Sequence, residues 1–141
     1  MLEGFEPLRL VTGIPTMSIT KNGVSFNKTS IEKLGCPPYV IPMIDRQGNR
    51  FAIVARDERD DDTRKFHQEG RDTSNGIRWN NNDLVATFEN MMGWKIAYMG
   101  MKVRGKYSEN DKAIIFNLES AEPIDSGSKK GKRRGDMAES I

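Results

Sequence analysis

An Asn-Gly dipeptide opens a strand-like segment twice in this chain, and that restart constrains the fold more than any other feature. Asn22-Gly23-Val24-Ser25-Phe26-Asn27 is matched by Asn75-Gly76-Ile77-Arg78-Trp79-Asn80 at a constant offset of 53, with three identities and two conservative apolar replacements. Thr73 falls on Thr20 and Leu84 on Ile31 at the same offset. Asn-Gly suits tight turns because both residues tolerate positive φ. The expectation is an internally duplicated protein whose two copies each begin at such a turn.

The first copy reads clearly. Thr16–Thr20 alternates polar and apolar residues, Lys21-Asn22-Gly23 supplies a turn, and Val24-Ser25-Phe26 alternates again, as a β-hairpin does. Asn27 follows as a helix N-cap, and Ile31 and Leu34 give a short apolar helical face that ends at Gly35. Pro37-Pro38 stops the helix; Tyr39–Ile44 then reads as a strand, 45–49 as a turn and Phe51–Ala55 as the antiparallel partner. Pro42 has no N–H to give a ladder, so its strand belongs at an edge or a bulge.

After the second Asn-Gly, Leu84, Val85, Phe88, Met91 and Met92 form a longer helical face ending near Gly93. A strand from Lys95 to Arg104, a turn around Ser108–Asp111 and a strand from Ala113 to Leu118 complete this copy. The organisation is therefore an irregular lead-in over 1–15, a first repeat over 16–55, a polar connector over 56–74, a second repeat over 75–124 and a disordered basic tail over 125–141. Units of about 40 residues cannot bury both of their faces alone, so the copies should pack on each other. The expected fold class is α+β, mainly β: duplicated strand–helix–hairpin units forming a pseudo-two-fold body. The connector holds one aromatic and no aliphatic residue, which predicts a loop rather than a buried element.

Charge is unevenly placed. The net charge is +2, but Lys129, Lys130, Lys132, Arg133 and Arg134 against Asp136 and Glu139 give residues 126–141 a charge of +3 and leave the remainder at −1. Affinity for a polyanion must therefore come from local clusters or from the tail. No apolar run approaches the roughly 18 residues of a membrane span, and Glu3 and Glu6 interrupt the lead-in where a signal peptide would be apolar. A cytoplasmic protein without membrane association is the default expectation. With one cysteine, Cys36, the chain forms no internal disulfide and no thiolate cluster. Cys36 reads as a small buried hydrophobe, and His67 as a solvated loop residue.

The order hairpin, short helix, hairpin resembles the swapped-hairpin barrels of the AbrB-, MazE- and MraZ-like DNA-binding family. The stretch that carries the resemblance runs from Gly23 through Lys28 to Leu34-Gly35, with Gly76–Gly93 as its counterpart. Asn27 stands where that family usually has proline. The resemblance implies a swapped-hairpin-like barrel, dimerisation through hairpins, and a transcriptional regulator or antitoxin-like module that contacts DNA with basic residues near its leading strands and turns. On this sequence those positions are Lys21, Asn22, Lys28, Lys33, Arg71 and Arg78, supplemented by the tail cations Lys129, Lys130, Lys132, Arg133 and Arg134. A solvated charged face accounts for the same residues without a partner.

Other readings stay open. Phe26 and Trp79 occupy equivalent strand positions and read as core; exposed, they would stack on single-stranded bases. A protein–protein interaction or structural module of a mobile element, using sheet edges and the acidic connector, is a separate class. Asp57, Glu58, Asp60, Asp61 and Asp62 lack the glycine and spaced glutamate of a calcium loop. No phosphate-binding glycine loop, catalytic triad or metal motif is present, so no cofactor is expected and a non-enzymatic role leads, with a hydrolytic or metal-using enzyme built on the 56–75 loop as the trailing alternative.

Overall fold

A computed structural model describes residues 2–8 and 11–124. Among these residues nine antiparallel strands form a curled half-barrel with two short helices. In chain order the elements are β1 (Thr16–Thr20), β2 (Gly23–Phe26), α1 (Lys28–Lys33), β3 (Tyr39–Asp45), β4 (Arg50–Arg56), β5 (Arg64–Lys65), β6 (Ile77–Trp79), α2 (Asn82–Met92), β7 (Met101–Ser108), β8 (Ala113–Asn117) and β9 (Glu122–Pro123), with a 3₁₀ turn at Leu118–Ser120. The sheet runs β5-β3-β4-β8-β7-β1-β2-β6, and β9 pairs with β7.

Alternation decides which side of each strand faces inward. Met17, Ile19, Val24, Phe26, Ile53, Val103, Ile114 and Phe116 are fully buried, and most of their strand neighbours of opposite parity are more exposed. Phe51, Phe88 and Phe116 continue this core: Phe51 meets Phe88 edge-on with centroids 5.2 Å apart and stacks on Phe116 at 6.4 Å. Asn27 ties the lead-in to the barrel. Its Oδ1 accepts from Ser30 N (3.0 Å) as the N-cap of α1 and also from Thr16 N (3.0 Å), while its Nδ2 donates to Ile14 O (2.9 Å). α2 begins at the Asn81 cap and ends at Gly93, whose left-handed φ of 73° closes the last turn. Pro42 lies on β3 beyond the two residues that pair with β5, so its missing N–H faces an open edge.

Several sequence expectations change. The Asn-Gly turns do not use positive φ at both residues: Gly23 (φ 128°) and Gly76 (φ 86°) have it, whereas neither Asn22 nor Asn75 does. The strand expected from Lys95 begins at Met101. Before it the chain folds back on itself, because Tyr98 N and Met99 N both donate to Lys95 O and Ile96 N is taken by the Glu89 carboxylate at 2.8 Å. The 56–74 connector is not merely a loop. Its residues 64–65 add a strand to β3, and Phe66 is buried at 4% exposure. This works because the Pro37 and Pro38 carbonyls are free to accept His67 N (2.9 Å) and Phe66 N (2.8 Å). His67 is accordingly half-buried rather than solvated, with a buried Nδ1 that has no hydrogen-bond partner among the described residues. Cys36 packs half-buried against the core with a left-handed φ of 54°. The expected tail lies outside the described residues.

Both glycines sit where backbones touch. β2 and β6 pair as Val24↔Trp79, Ser25↔Arg78 and Phe26↔Ile77. A Cβ at Gly23 would meet the Trp79 carbonyl, and one at Gly76 the Phe26 carbonyl; at Gly35 it would meet nothing within 4 Å. Gly76→Ala and Gly23→Ala are therefore expected to cost clearly more than Gly35→Ala, whose penalty is only that of a left-handed non-glycine, roughly 1 kcal/mol. Urea unfolding of the three variants checks this; equal losses would show that conformation alone, not backbone contact, fixes these glycines.

Candidate nucleic-acid interface

The curl brings the two terminal strands, β5 and β6, together, but no backbone ladder joins them. The indole N–H of Trp79 instead donates to the Lys65 carbonyl at 3.2 Å. Beneath that contact Phe26 supports both sides, edge-on to Trp79 at 4.9 Å and to Phe66 at 5.7 Å. Trp79 is half-buried because β6 ends the sheet, whereas Phe26, one strand inward, is fully enclosed. Phe26 therefore cannot stack on a base, and of the sequence-equivalent pair only Trp79 keeps exposed surface.

Two open hollows flank this seam. One of about 670 Å³ lies toward the start of α2 and is lined by Arg64, Lys65, Arg78, Trp79 and the run Asn80–Asp83. The other, about 260 Å³, lies toward the turn before β6 and includes Phe66, Arg71, Asp72 and Thr73. Lys65, Arg78 and Trp79 line both, so the hollows form one groove across the seam.

Four cations, Arg64, Lys65, Arg71 and Arg78, and two carboxylates, Asp72 and Asp83, give the groove a formal charge of +2. Asp72 stays ionised, since the Ser74 backbone N–H (2.9 Å), the Ser74 hydroxyl and the charge of Lys28 all hold its carboxyl below the usual range. The start of α2, where the Asn81 side chain caps the Leu84 N–H at 3.0 Å, forms part of this wall, and the partial positive charge of a helix N-terminus favours anions. Asp83, in the first turn of α2, offsets part of the effect. Three adjacent asparagines, Asn80–Asn82, add neutral donors and acceptors to the wall.

Of the sequence-proposed residues, Arg71 and Arg78 meet in this groove. Lys21 and Asn22 are exposed at the β1–β2 turn, and Lys33 is half-buried in the last turn of α1. Lys28 is 3.9 Å from Glu32, an exposed i,i+4 pair that offsets its charge locally. None of these four lines the groove. Lys129, Lys130, Lys132, Arg133 and Arg134 lie outside the described residues. Sequence reading missed Arg64 and Lys65. The signal was Phe66, a lone aromatic in a polar stretch, which anchors both cations against the barrel.

Among the described residues, no group of three or more His, Cys, Asp or Glu side chains is placed to hold a metal ion, and no helix is long and apolar enough to cross a membrane. Compared with family models, with curated proteins and with solved structures, the chain matches none of them.

Trp79→Phe keeps an aromatic ring over Phe26 but removes the only hydrogen bond between β5 and β6 among the described residues. The expected loss is about 0.5–1.5 kcal/mol, with amide exchange accelerating at Phe66 and His67 well before β4 and β8. Uniform acceleration across the barrel would contradict this view of the seam.

Proposed function

We propose that this protein binds DNA as a regulator-like or antitoxin-like module, and that the groove across the β5–β6 seam holds the phosphate backbone. The observation that carries this reading is the convergence of Arg64, Lys65, Arg71 and Arg78 around a half-buried tryptophan, on a body whose overall charge does not favour anions. Guanidinium groups recognise phosphate through paired donors, and such contacts position a nucleic acid without reading its sequence. Asn80–Asn82 and Trp79 are the groups able to approach bases.

The same reading includes a duplicated, pseudo-two-fold barrel of the swapped-hairpin kind. Supporting it, the β2–β6 ladder is centred on Ser25↔Arg78, residues equivalent at the offset of 53. The β4–β8 ladder is likewise centred on Ala52↔Ile115, which are 63 apart. At that second offset Asn49 (φ 53°) corresponds to Lys112 (φ 51°), each in the left-handed position of its hairpin turn. The longer α2, 11 residues against 6 in α1, together with the folded-back segment after it, accounts for most of the ten-residue difference. β5 lies beside β3 as β1 lies beside β7, so the connector supplies the leading strand of the second copy.

A salt titration tests the function. Full-length protein should bind a labelled DNA duplex with affinity that falls steeply as salt rises, and R71Q/R78Q should weaken binding and reduce the log–log salt slope by about one unit per arginine. D72N should strengthen binding at low salt. Replacing the five tail cations by serine in the full-length chain should leave most of the affinity. Loss of all binding with the tail charges, or indifference to R71Q/R78Q, sinks the assignment of the body as the binding element.

A further inference from the structure

The outward face of β7, β1, β2 and β6 carries a second set of cations that the groove does not use. Met17, Ile19, Val24, Phe26 and Val103 are fully buried, so strand alternation turns Ser18, Ser25, Lys102 and Arg104 outward. Pairing places these residues in register. Lys102 stands opposite Ser18, Ser18 opposite Ser25, and Ser25 opposite Arg78. One row therefore starts at Lys102, crosses two serines and ends on Arg78, the residue that also walls both hollows. Three strand spacings make it about 14 Å long.

Along β7 a second line crosses this row. Lys102, Arg104 and Lys106 occupy alternate positions, about 6.7 Å apart, a separation comparable to that of neighbouring phosphates on one nucleic-acid strand. Arg104 and Lys106 are exposed, and none of the three cations makes an ion pair among the described residues. Thr16 faces Arg104 across the β1 ladder. The outward positions between the two cationic borders are thus hydroxyl residues with short side chains, a low shelf with donors and no carboxylate. Glu122, opposite Lys102 on β9, is the acidic neighbour at the far border. Counting it, Lys102, Arg104, Lys106 and Arg78 leave a charge of +3.

The spacing selects the ligand. Cations about 14 Å apart are too far separated to share one phosphate or a small dianion, but a polymer carrying a charge at every repeat meets all of them. The shelf itself presents no aromatic or aliphatic side chain to enter an acyl layer, which favours a polynucleotide over an anionic membrane.

We infer that Lys102, Arg104 and Lys106 form the second half of one nucleic-acid footprint, so that a duplex held at the seam groove continues past Arg78 over the Ser25–Ser18 shelf to β7. The inference rests on the DNA-binding reading above. Its contacts are phosphate contacts, so they add affinity and salt dependence without sequence preference. At 3.4 Å per base pair the shelf adds about four base pairs to the footprint.

The test compares full-length wild type, K102Q/R104Q/K106Q, the charge-retaining K102R/K106R and the groove variant R64Q/R71Q, each checked for an unchanged circular dichroism spectrum and Tm. Fluorescence anisotropy follows labelled duplexes of about 8 and about 20 base pairs, lengths set against the estimated shelf. The triple variant should weaken the long duplex at least tenfold at low salt and lower its salt slope by two to three units, with less than a threefold effect on the short one. K102R/K106R should behave as wild type. If R64Q/R71Q weakens both duplexes while the β7 triple leaves affinity and slope unchanged, the shelf is overturned and the groove stands. If R64Q/R71Q has no effect but the triple variant does, the groove reading fails and the one-footprint inference fails with it. Wild type that binds phosphatidylserine vesicles and neither duplex overturns both.

Discussion

Everything at the seam depends on how closely β2 and β6 approach. Their ladder is three residue pairs long, and it is possible because two glycines leave room for the opposing carbonyls at its ends. Once this ladder is formed, alternation leaves no choice of faces. Ile77 and Trp79 turn toward Phe26, and Arg78 turns out. The aromatic ring that closes the barrel and the arginine that walls the groove are thus set by one register. A slip of one residue would send the guanidinium into a site enclosed by Phe26 and Phe66, where an unpaired charge is prohibitively costly.

The hairpins, both helices and most of the core were legible because they rest on local signals. Asn27 and Gly93 cap helices as their chemistry suggests, and the period-two alternation of 16–20 and 51–55 marks real inward positions. The connector was not legible, since nothing local makes Arg64-Lys65 a strand. It becomes one because Pro37 and Pro38 leave carbonyls unclaimed and Phe66 finds space beside Phe26. The overextended strand before Met101 has a similar origin, in a glutamate seven residues away that captures the Ile96 amide. Half of the proposed groove was accordingly visible as Arg71 and Arg78, while Arg64 and Lys65 were hidden in a segment whose structure is purely tertiary. The β7 cations were equally hard to see, because their alternation means little until Val103 is known to be buried.

β7 joins the two arcs of the sheet by changing partners midway. Residues 101–104 pair with β1 and residues 105–108 with β8. The change falls at Gly105, where a side chain would run into Ile114 and Phe116 and where the amide donates to Pro15 O at 2.7 Å. The lead-in is therefore held at the joint as well as by Asn27. α2 packs on β2, and Phe26 of that strand meets Phe116 of the other arc in the core, while the opposite face of β7, β1, β2 and β6 carries the hydroxyl and cationic residues. Because core and proposed binding face lie on opposite sides of the same strands, that face can vary in charge without touching the buried residues.

The short terminal strands have a further effect, on how copies of this molecule behave toward one another. A sheet that ended in long, flat, apolar strands would offer its unpaired amides and carbonyls to any neighbouring chain. Here the ends are strands of two and three residues, turned toward each other and bordered by Arg64, Lys65 and Arg78. These like charges also repel a second copy approaching edge-on. The seam that leaves the barrel incompletely laddered is thus guarded against becoming a template for fibrous assembly.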